Sequence, residues 1–597
     1  MTRGLITLCE SASNQKGNNE TMTLTFITFR KSATTHDGRR ETLARKETLS
    51  RNLPHCLQSR RGMGRVCRVL GAPTGGCKLR TPLGTRVSRQ IVVARPYRSN
   101  LELAMNRIAR LLGMWWVGVC CTFSSFSVAS AHGEEPLCLA NLFGDSMVLP
   151  SESELPIWGW SQAHAEIRVS LGEQTATTTS DETGFWIVRF PPLKASFEPI
   201  SLGVQSGEER IEVGDLLVGR VWLAAGQSNM QWTLGQSLAE RPELAERILL
   251  NDSTNIRFTR VDLGPAPTAA RDLPNRAPWT RVDRETAANM SGVAFFFAQR
   301  MAQELHVPIG IIDVSRGGTP IEPFIPREAF VGHPTLEAEL KLGDAEDLAG
   351  LKALPGGVFA RDAAWLPGRL FHSRIAPLVR LPIHGAIWYQ GESNSGFEED
   401  PRDYRVKMQA LREGWRTAFG QADLPIHYVQ LPGSGAGENW PALREEQRVS
   451  EQLPTSGMVV TIDLEGAGIH PWNKFDVGER LARLALDDEP TDQARMPRSG
   501  PTFASMVRGA DSVVLQFHSC SDLWLGRKPG TDAPMPLGTR QVPGFEVRLA
   551  SGNWQAVDAT IDGRNVRLTG AGIVEAHAVR FAWSSTPALE SLYDDSM

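Results

Sequence analysis

The sequence predicts an α/β protein in which a parallel sheet is flanked, along the chain, by two β-rich domains. Between residues 215 and 490, apolar β-branched runs alternate with segments of helical periodicity. That alternation is typical of parallel strands joined by helices that cover both faces of the sheet. Shorter strand-like runs separated by turn formers lie before and after this stretch. With 597 residues the chain is too long for one core, so several domains are expected.

The β-rich domain before the sheet is expected over residues 132–213. Glu166–Leu171 alternates polar and apolar residues, and Phe185–Phe190 follows the turn formers Asp181–Gly184. Similar runs return after residue 500 and predict a second β domain over residues 496–597. Both domains have the pattern of a small β-sandwich. The strand candidates of the second domain are Ser512–Phe517, Phe545–Leu549, Asn565–Leu568 and Ala578–Trp583.

The α/β domain is expected over residues 214–495. Several of its strand candidates lack polar and apolar alternation, as strands buried on both faces do. These candidates are Val221–Ala225, Ile309–Val314, Gly385–Tyr389, Ile426–Leu431 and Met458–Leu464. The helix candidates between them are Gly292–Leu305, Tyr404–Phe419 and Val477–Leu486.

Charge is distributed unevenly along the chain. Residues 1–104 hold 19 Lys and Arg against 6 Asp and Glu, whereas residues 105–597 hold 44 against 61. An acidic body does not attract a phosphate backbone, so nucleic acid is not an expected partner.

A secretory signal is predicted over residues 105–131. Arg107 and Arg110 precede an apolar stretch, Leu111–Phe123, which is too short to span a bilayer comfortably, and Ala129–Ala131 matches a cleavage site. We therefore expect export to the periplasm or the exterior, with no membrane span in the mature chain. Residues 1–104 are expected to be a disordered upstream extension preceding the true start at Met105. A genuine basic arm followed by an anchor helix is the alternative.

Few of the cysteines belong to the expected mature chain. Cleavage after Ala131 leaves Cys138 and Cys520, which could pair in an oxidising compartment. The sequence has no C-x-x-C pair and no clustered His and Cys spacing, so no metal site is predicted.

Candidate functional residues follow the predicted strands, and ligands of parallel sheets bind beyond the carboxyl ends of the strands. Ser228 comes directly after the first strand, and the glycine pair Gly317 and Gly318 follows the second. A glycine pair lets backbone N–H groups approach a ligand closely, as an oxyanion hole requires. Each feature alone also fits an ordinary helix start or a turn.

Two later segments complete the set. The loop after the third strand carries Gln390 and Asn394, whose amides can donate hydrogen bonds, and Glu392, whose carboxylate can orient a neighbour. His470 follows the last strand and could serve as the base that a serine nucleophile needs. Together these residues form the constellation that acyl transfer requires.

With these residues assembled, the chain resembles the sialate O-acetylesterase family of SGNH hydrolases. The segments that carry the resemblance are Val221–Gln231, Pro308–Glu322, Ile387–Asn394 and Ile469–Lys474, and they occur in the order that the family has. The resemblance covers about Leu142 to Tyr593. It implies a three-layer sheet of the SGNH type and a secreted serine esterase that removes acetyl groups from a sugar, sialic acid being the expected one. The expected partner is thus an acetylated sugar or glycan, and no cofactor is implied.

The resemblance also implies a role for each site residue. Ser228 would be the nucleophile and His470 its base. The N–H group of Ser228, that of Gly317 or Gly318, and the side chain of Gln390 would stabilise the oxyanion. Asn394 is an alternative to Gln390 for the side-chain donor.

The expected acid departs from the family pattern. SGNH enzymes usually carry an aspartate two or three residues before the histidine, where this chain has Gly468 and Ala467. Either Glu465 or Asp463 would curl back to His470, or the enzyme would work as a Ser–His dyad oriented by a backbone carbonyl.

Two other functions compete with this hypothesis. One is an esterase acting on an acetylated polysaccharide of the xylan type. The other is a carbohydrate-binding protein with a weakened esterase centre, which the absent aspartate motivates.

Overall fold

The computed structural model describes residues 136–248, 256–354, 363–395, 400–466, 468–489 and 499–596, together with two short strands nearer the N-terminus. These strands, β1 (Leu24–Thr28) and β2 (Arg45–Leu49), pair antiparallel within a separate unit of the chain. The predicted signal at 105–131 and the remainder of the predicted extension at 1–104 lie outside the described residues.

The first β-rich region forms two sheets. One has the order β3–β5–β8, and the other joins β4, β6, β7 and β9 to the long strand β10. In the strand predicted at Glu166–Leu171, Ile167, Val169 and Leu171 are buried, so its alternation places one face on the core. The strands are β3 (Cys138–Leu139), β4 (Val148–Pro150), β5 (Leu155–Trp160), β6 (Glu166–Leu171), β7 (Gln174–Thr179), β8 (Phe185–Phe190), β9 (Ser196–Ser206) and β10 (Glu209–Gly226).

Strand β10 connects this region to the central sheet without a linker. Its first part pairs antiparallel with β9, from Glu209 to Val218, and its last part, from Arg220 to Gly226, runs parallel to the central strands. The domain boundary expected between residues 213 and 214 therefore falls inside a continuous strand. The strand that leads to Ser228 is therefore anchored in two packed regions, the first β-rich region at its start and the central sheet at its end.

The central sheet has the order β12–β11–β13–β10–β14–β15–β16 and is parallel except for the short edge strand β12. Every residue of β13 and β14 is buried, as predicted for strands covered on both faces. The strands after β10 are β11 (Ile256–Arg260), β12 (Thr280–Arg281), β13 (Ile309–Asp313), β14 (Gly385–Tyr389), β15 (Ile426–Val429) and β16 (Ser456–Val459).

Each face of the sheet packs into its own apolar cluster. Val221 and Leu223 of β10 belong to one cluster, and Trp222 and Ala224 belong to the other. The first cluster includes residues of α6 and α7, and the second includes residues of α3 and α8. The helices are α1 (Ser228–Gln231), α2 (Leu234–Glu240), α3 (Gly292–Leu305), α4 (Pro334–Asp344), α5 (Leu348–Ala353), α6 (Tyr404–Phe419), α7 (Trp440–Ser450) and α8 (Lys474–Asp488).

The last β-rich region, called here the C-terminal β region (residues 499–596), has an apolar cluster of its own. Its strands form a four-stranded sheet and two three-stranded sheets. The predicted boundary at 495 and 496 lies outside the described residues. The strands are β17 (Thr502–Arg508), β18 (Val513–His518), β19 (Trp524–Arg527), β20 (Met535–Pro536), β21 (Phe545–Arg548), β22 (Trp554–Ala556), β23 (Asp558–Asp562), β24 (Asn565–Thr569), β25 (Ala578–Phe581) and β26 (Ser591–Tyr593).

Three expectations from the sequence concern a membrane span, a metal site and a disulfide. Across the described ranges, no helix combines the length and the apolar character needed to cross a bilayer. In the same part of the chain, no three His, Cys, Asp or Glu side chains are grouped so that they would hold a metal ion. Cys520 carries a free thiol, so the pairing with Cys138 that the sequence allows is not made.

Gly226 is required where β10 ends. Its φ is +126°, and a Cβ at this position would lie 2.1 Å from the carbonyl oxygen of Tyr389. We expect Gly226→Ala to lower the free energy of unfolding by about 2 kcal/mol, because strain and a backbone clash are both introduced. Chemical denaturation measures this. Gly264→Ala is the control, since a Cβ there meets open space; equal stability of the two variants would contradict the prediction.

Candidate active site

The candidate residues meet at the carboxyl edge of the central sheet. Strands β10, β13 and β14 are adjacent and parallel, with Ala224 opposite Asp313 and Gly226 opposite Tyr389. The loops that leave these three strand ends carry the predicted nucleophile, the glycine pair and the amide-bearing segment. Neighbouring parallel strands therefore bring together residues that are far apart in sequence.

Ser228 is the first residue of the short helix α1 and lies two positions after Gly226. The backbone N–H of Gln227 donates to the carbonyl of Tyr389 at 2.9 Å, and that of Arg316 donates to the carbonyl of Gly226 at 2.9 Å. These two hydrogen bonds fix the turn to both neighbouring strand ends. The serine is thus held on a rigid support rather than on a free loop.

His470 lies against the Ser228 hydroxyl. The distance from His470 Nε2 to Ser228 Oγ is 2.8 Å, which is a good hydrogen bond between residues 242 positions apart. The imidazole also stacks on the indole of Trp232, with ring centroids 5.0 Å apart and planes inclined by 27°. The pair that the sequence predicts is therefore brought together.

The surroundings of His470 favour its neutral form. Burial lowers the pKa of its imidazole below the ordinary value of 6.5, the charge of Lys474 lowers this pKa further, and Glu240 acts in the opposite sense. A neutral imidazole is the form that can accept the proton of a serine.

Neither predicted carboxylate orients this imidazole. Asp463 accepts two hydrogen bonds from Arg480, at 2.8 and 2.7 Å, and one from the hydroxyl of Tyr593 at 2.8 Å. Glu465 accepts the N–H of Gly530 at 3.2 Å and pairs with Arg527 at 3.4 Å. Among the described residues, no carboxylate is hydrogen-bonded to the His470 ring. Of the two positions where the family usually has Asp, Gly468 has φ +80° and Ala467 lies outside the described residues.

The three predicted oxyanion donors differ in availability. A Cβ at Gly317 would lie 3.6 Å from the Cβ of Ser228, so the glycine pair adjoins the nucleophile. The N–H of Gly317 donates to Gln231 Oε1 at 2.8 Å. Within the described part of the chain, the N–H groups of Gly318 and Ser228 have no hydrogen-bond partner. These two N–H groups are the ones left to face a ligand.

The side chain of Gln390 is engaged in hydrogen bonds with buried groups of the protein. Its Nε2 lies within hydrogen-bond distance of Thr319 O (3.2 Å), Gln227 Oε1 (3.1 Å) and Asn394 Oδ1 (2.7 Å). Its Oε1 accepts the hydroxyl of Tyr404 at 2.8 Å, and the side chain is fully buried. The amide nitrogen of Gln390 has two N–H groups and three acceptors within reach, so no N–H group is left for an oxyanion. The oxyanion role expected for Gln390 from the sequence is therefore not matched by this geometry.

Asn394 has a similar bracing position. Its Oδ1 also accepts the N–H of Ile321 at 3.0 Å, and its Nδ2 donates to the carboxylate of Glu322 at 3.2 Å. The same carboxylate pairs with the fully buried Lys407 at 2.5 Å. Asn394 therefore braces the loops that follow β13 and β14.

Glu392 belongs to a buried chain of polar groups that reaches the histidine loop. Its carboxylate accepts a hydrogen bond from Asn229 Nδ2, which also donates to the carbonyl of Ile469 at 2.7 Å. Asn229 Oδ1 accepts from Lys474 Nζ at 2.5 Å. Asn229, next to Ser228 in sequence, thus holds Ile469, the residue that precedes His470.

Burial has the largest effect on the pKa values of the two ionisable groups in this chain of contacts, Glu392 and Lys474. Burial raises the pKa of Glu392 to about 7 and lowers the pKa of Lys474 to about 7. Burial disfavours the charged form of each group, and the weaker attraction between them opposes both shifts.

Sequence reasoning gave no role to Asn229, Gln231, Trp232 or Lys474. Three of them lie within segments that carry the family resemblance, next to Ser228 or His470. Their contacts join segments more than 80 residues apart, as between Gln231 and Gly317, so no local pattern reveals them.

Comparisons with known proteins find carbohydrate esterases among the relatives of this chain. Residues 364–487 match the family model described as a carbohydrate esterase, sialic acid-specific acetylesterase. The chain is 27% identical over 528 residues to the sialate O-acetylesterase of Rattus norvegicus, covering 75% of this chain and 90% of that protein. It is 28% identical over 384 residues to the sialate O-acetylesterase of Homo sapiens, covering 57% and 69%.

A solved structure shows the same relationship. A carbohydrate acetylesterase from Xanthomonas citri superposes with a TM-score of 0.65 and 30% identity, covering 77% of this chain and 97% of that one. Sequence identity and fold are therefore shared over nearly the whole length of a characterised relative. The chain belongs to the sialate O-acetylesterase family of carbohydrate esterases and is a carboxylic ester hydrolase.

Proposed function

We propose that this protein is a serine esterase of the SGNH type that removes O-acetyl groups from sugars through an acetyl-enzyme on Ser228. The observation that carries the proposal is the 2.8 Å hydrogen bond between Ser228 Oγ and His470 Nε2. A hydroxyl bonded to a neutral imidazole is the arrangement that activates a serine for attack on an ester.

The first half of the reaction forms the acetyl-enzyme. Ser228 Oγ bonds to the acetyl carbon while its proton moves to His470 Nε2. The carbonyl oxygen becomes an oxyanion, which the N–H groups of Ser228 and Gly318 stabilise. The C–O bond to the sugar then breaks, and His470 returns its proton to the sugar oxygen, so the sugar leaves as an alcohol.

The second half releases acetate and restores the enzyme. His470 takes a proton from water as the water oxygen bonds to the acetyl carbon. The second oxyanion collapses, the bond to Ser228 Oγ breaks, and the serine regains a proton from the imidazole. One ester and one water thus give one alcohol and acetic acid, which ionises.

The arrangement supports a Ser–His dyad, but the backbone carbonyl expected to orient the imidazole is not found, because Ser228 is the ring's one hydrogen-bond partner among the described residues. Stacking on Trp232 fixes the plane of the imidazole, and the contact between Asn229 and Ile469 fixes the backbone beside it. Asp463 and Glu465 then serve elsewhere. The ring is oriented by packing and backbone instead of by a buried carboxylate.

The proposed substrate is an O-acetylated sialic acid, as the matched family model and the curated relatives suggest. The ring of Trp365 lies 3.9 Å from the point that a Cβ on Gly318 would occupy, which supplies an aromatic surface beside the nucleophile for a sugar. We further propose export directed by residues 105–131, with mature regions at 132–213, 214–495 and 496–597.

Ser228→Ala removes the nucleophile, so we expect hydrolysis of p-nitrophenyl acetate to fall by about 10⁴-fold or more. Acetate release and p-nitrophenol absorbance measure it, and thermal denaturation checks that the variant is folded. If wild-type protein and variant are equally inactive, a carbohydrate-binding role replaces the esterase proposal.

Substrate preference separates sialic acid from polysaccharide. We expect acetate release from 9-O-acetyl sialic acid to exceed release from acetyl-xylan by at least about tenfold in kcat/KM, a difference of about 1.4 kcal/mol in transition-state binding. Enzymatic acetate assay on both substrates provides the measurement. A reversed preference would support the polysaccharide esterase.

The pH dependence follows from His470. We expect kcat/KM to rise with pH as this imidazole loses its proton, with a midpoint below pH 6.5, because burial and Lys474 lower its pKa. Lys474→Met removes a cation that is protonated in this range and should move the midpoint to higher pH. Glu240→Gln removes the opposing charge and should move the midpoint to lower pH. Two unchanged midpoints in the pH–rate profiles would argue against His470 as the base.

A further inference from the structure

The segment that carries His470 has little internal support. Residues 460–473 connect β16 to α8 and contain neither helix nor strand among the residues described there. Gly466 and Gly468 have φ of +157° and +80°, in a region that favours glycine. Glycines widen the range of backbone conformations, so this segment, called here the histidine loop, needs contacts from outside to keep one shape.

Contacts on the N-terminal side of His470 come from the C-terminal β region. The hydroxyl of Tyr593 donates to Asp463 at 2.8 Å, with both side chains buried. Glu465 accepts the N–H of Gly530 at 3.2 Å and pairs with Arg527 at 3.4 Å. Glu465 therefore ties the loop to this region, and Asp463, which also pairs with Arg480 of α8, is tied to it through Tyr593.

Contacts on the C-terminal side of His470 come from the hairpin of β19 and β20, whose turn contains Lys528 and Gly530. Asn473 donates to the carbonyl of Gly530 at 3.1 Å while its Oδ1 caps the first turn of α8 through the N–H of Asp476. Asp476 pairs with Lys528 at 3.0 Å, and both side chains are nearly buried. Gly530 thus touches the histidine loop on both sides of the base, through its N–H and through its carbonyl.

We propose that the C-terminal β region is a positioning element of the active site, which holds the histidine loop so that His470 meets Ser228. The residues that act are Glu465 and Tyr593, with the hairpin that contains Arg527, Lys528 and Gly530. They are positioning residues, because they act through the loop and not on the ester. This inference rests on the proposed Ser–His function.

The α/β domain also holds the loop. The guanidinium of Arg241 lies over the ring of Trp472 at 4.7 Å, and Leu464 packs into the apolar cluster on one face of the sheet. Beside the imidazole, Asn229 donates to the carbonyl of Ile469 and Trp232 stacks on His470. The contacts from the C-terminal β region hold residues 463, 465, 473 and 476, on both sides of that point. Misplacing a catalytic group by about 1 Å can cost about 10²-fold in rate, so freedom in this loop should appear directly in turnover.

The test is the double variant Glu465→Gln and Tyr593→Phe in the full chain. It removes a charge and a hydroxyl while keeping the shape of both side chains and the stacking of residue 593 on Trp524. Glu546→Gln is the matched control. Glu546 pairs with Arg580 in the same region at 2.8 Å, its side chain is 28% exposed like that of Glu465, and it does not contact the loop.

We expect the double variant to lose about tenfold or more in kcat per active site, with KM changed by less than about twofold, because orientation and not sugar binding is altered. Active sites are counted from the burst of p-nitrophenol, so loss of folded protein does not mimic the effect. Hydrogen–deuterium exchange of peptides spanning 464–473 should become faster in the double variant and stay unchanged in Glu546→Gln.

Normal kcat per active site in the double variant, with a lowered melting temperature alone, would overturn the positioning role. The single variant Glu465→Gln gives the same reading if the double variant does not fold, because it leaves the buried hydrogen bond from Tyr593 to Asp463 in place. Full activity of Ser228→Ala would instead overturn the proposed function itself. The two failures are therefore distinguishable.

Discussion

The hydrogen bond between Ser228 and His470 is the contact on which the remaining architecture of this esterase converges. Ser228 has a stiff support, because β10 runs unbroken from the first β-rich region into the central sheet and ends at a glycine that packs on Tyr389. The support of His470 is weaker, because Gly466 and Gly468 precede it in a segment without helix or strand among the residues described there. Precision at the site therefore depends on the contacts that fix this segment, and these come from the C-terminal β region as well as from the α/β domain.

The central α/β fold follows from local patterns wherever burial is uniform. Gly385–Tyr389 and Gly292–Leu305 are observed with the predicted bounds, because an apolar run ends at each turn former or cap. The strand Ile256–Arg260, which lies beside the edge strand β12, is not among the predicted strands, because it contains Arg257, a charged residue that is buried with an ion pair to Asp215. Periodicity along the chain does not predict such a strand, because the partner that allows the arginine to be buried comes from a distant segment.

The candidate site divides in the same way. That Ser228 and His470 come together could be predicted, because both lie in segments that leave the carboxyl edge of the sheet, two residues after β10 and eleven residues after β16. The assignment of Gln390 as an oxyanion donor is not matched by the geometry, because its amide is engaged by acceptors from three different loops. Likewise, the sequence offers Glu465 as an acid, but Arg527 and Gly530, more than 60 residues further along, determine where its carboxylate lies. Residue type gives the chemistry that is available, and tertiary contacts decide which group is free to use it.

A base without a bonded carboxylate has a physical consequence for the rate. In the proposed mechanism, the imidazolium formed when Ser228 attacks has no bonded anion among the described residues, and the nearby Lys474 disfavours its positive charge. His470 is thus a weaker base than one paired with an aspartate, although a larger share of it is neutral at a given pH. In that mechanism the rate comes mainly from geometry, namely the 2.8 Å contact between Ser228 and His470 and the N–H groups of Ser228 and Gly318, which have no partner among the described residues. Such an enzyme depends more on the order of its histidine loop than one with a full triad does, because no carboxylate among the described residues is hydrogen-bonded to the ring.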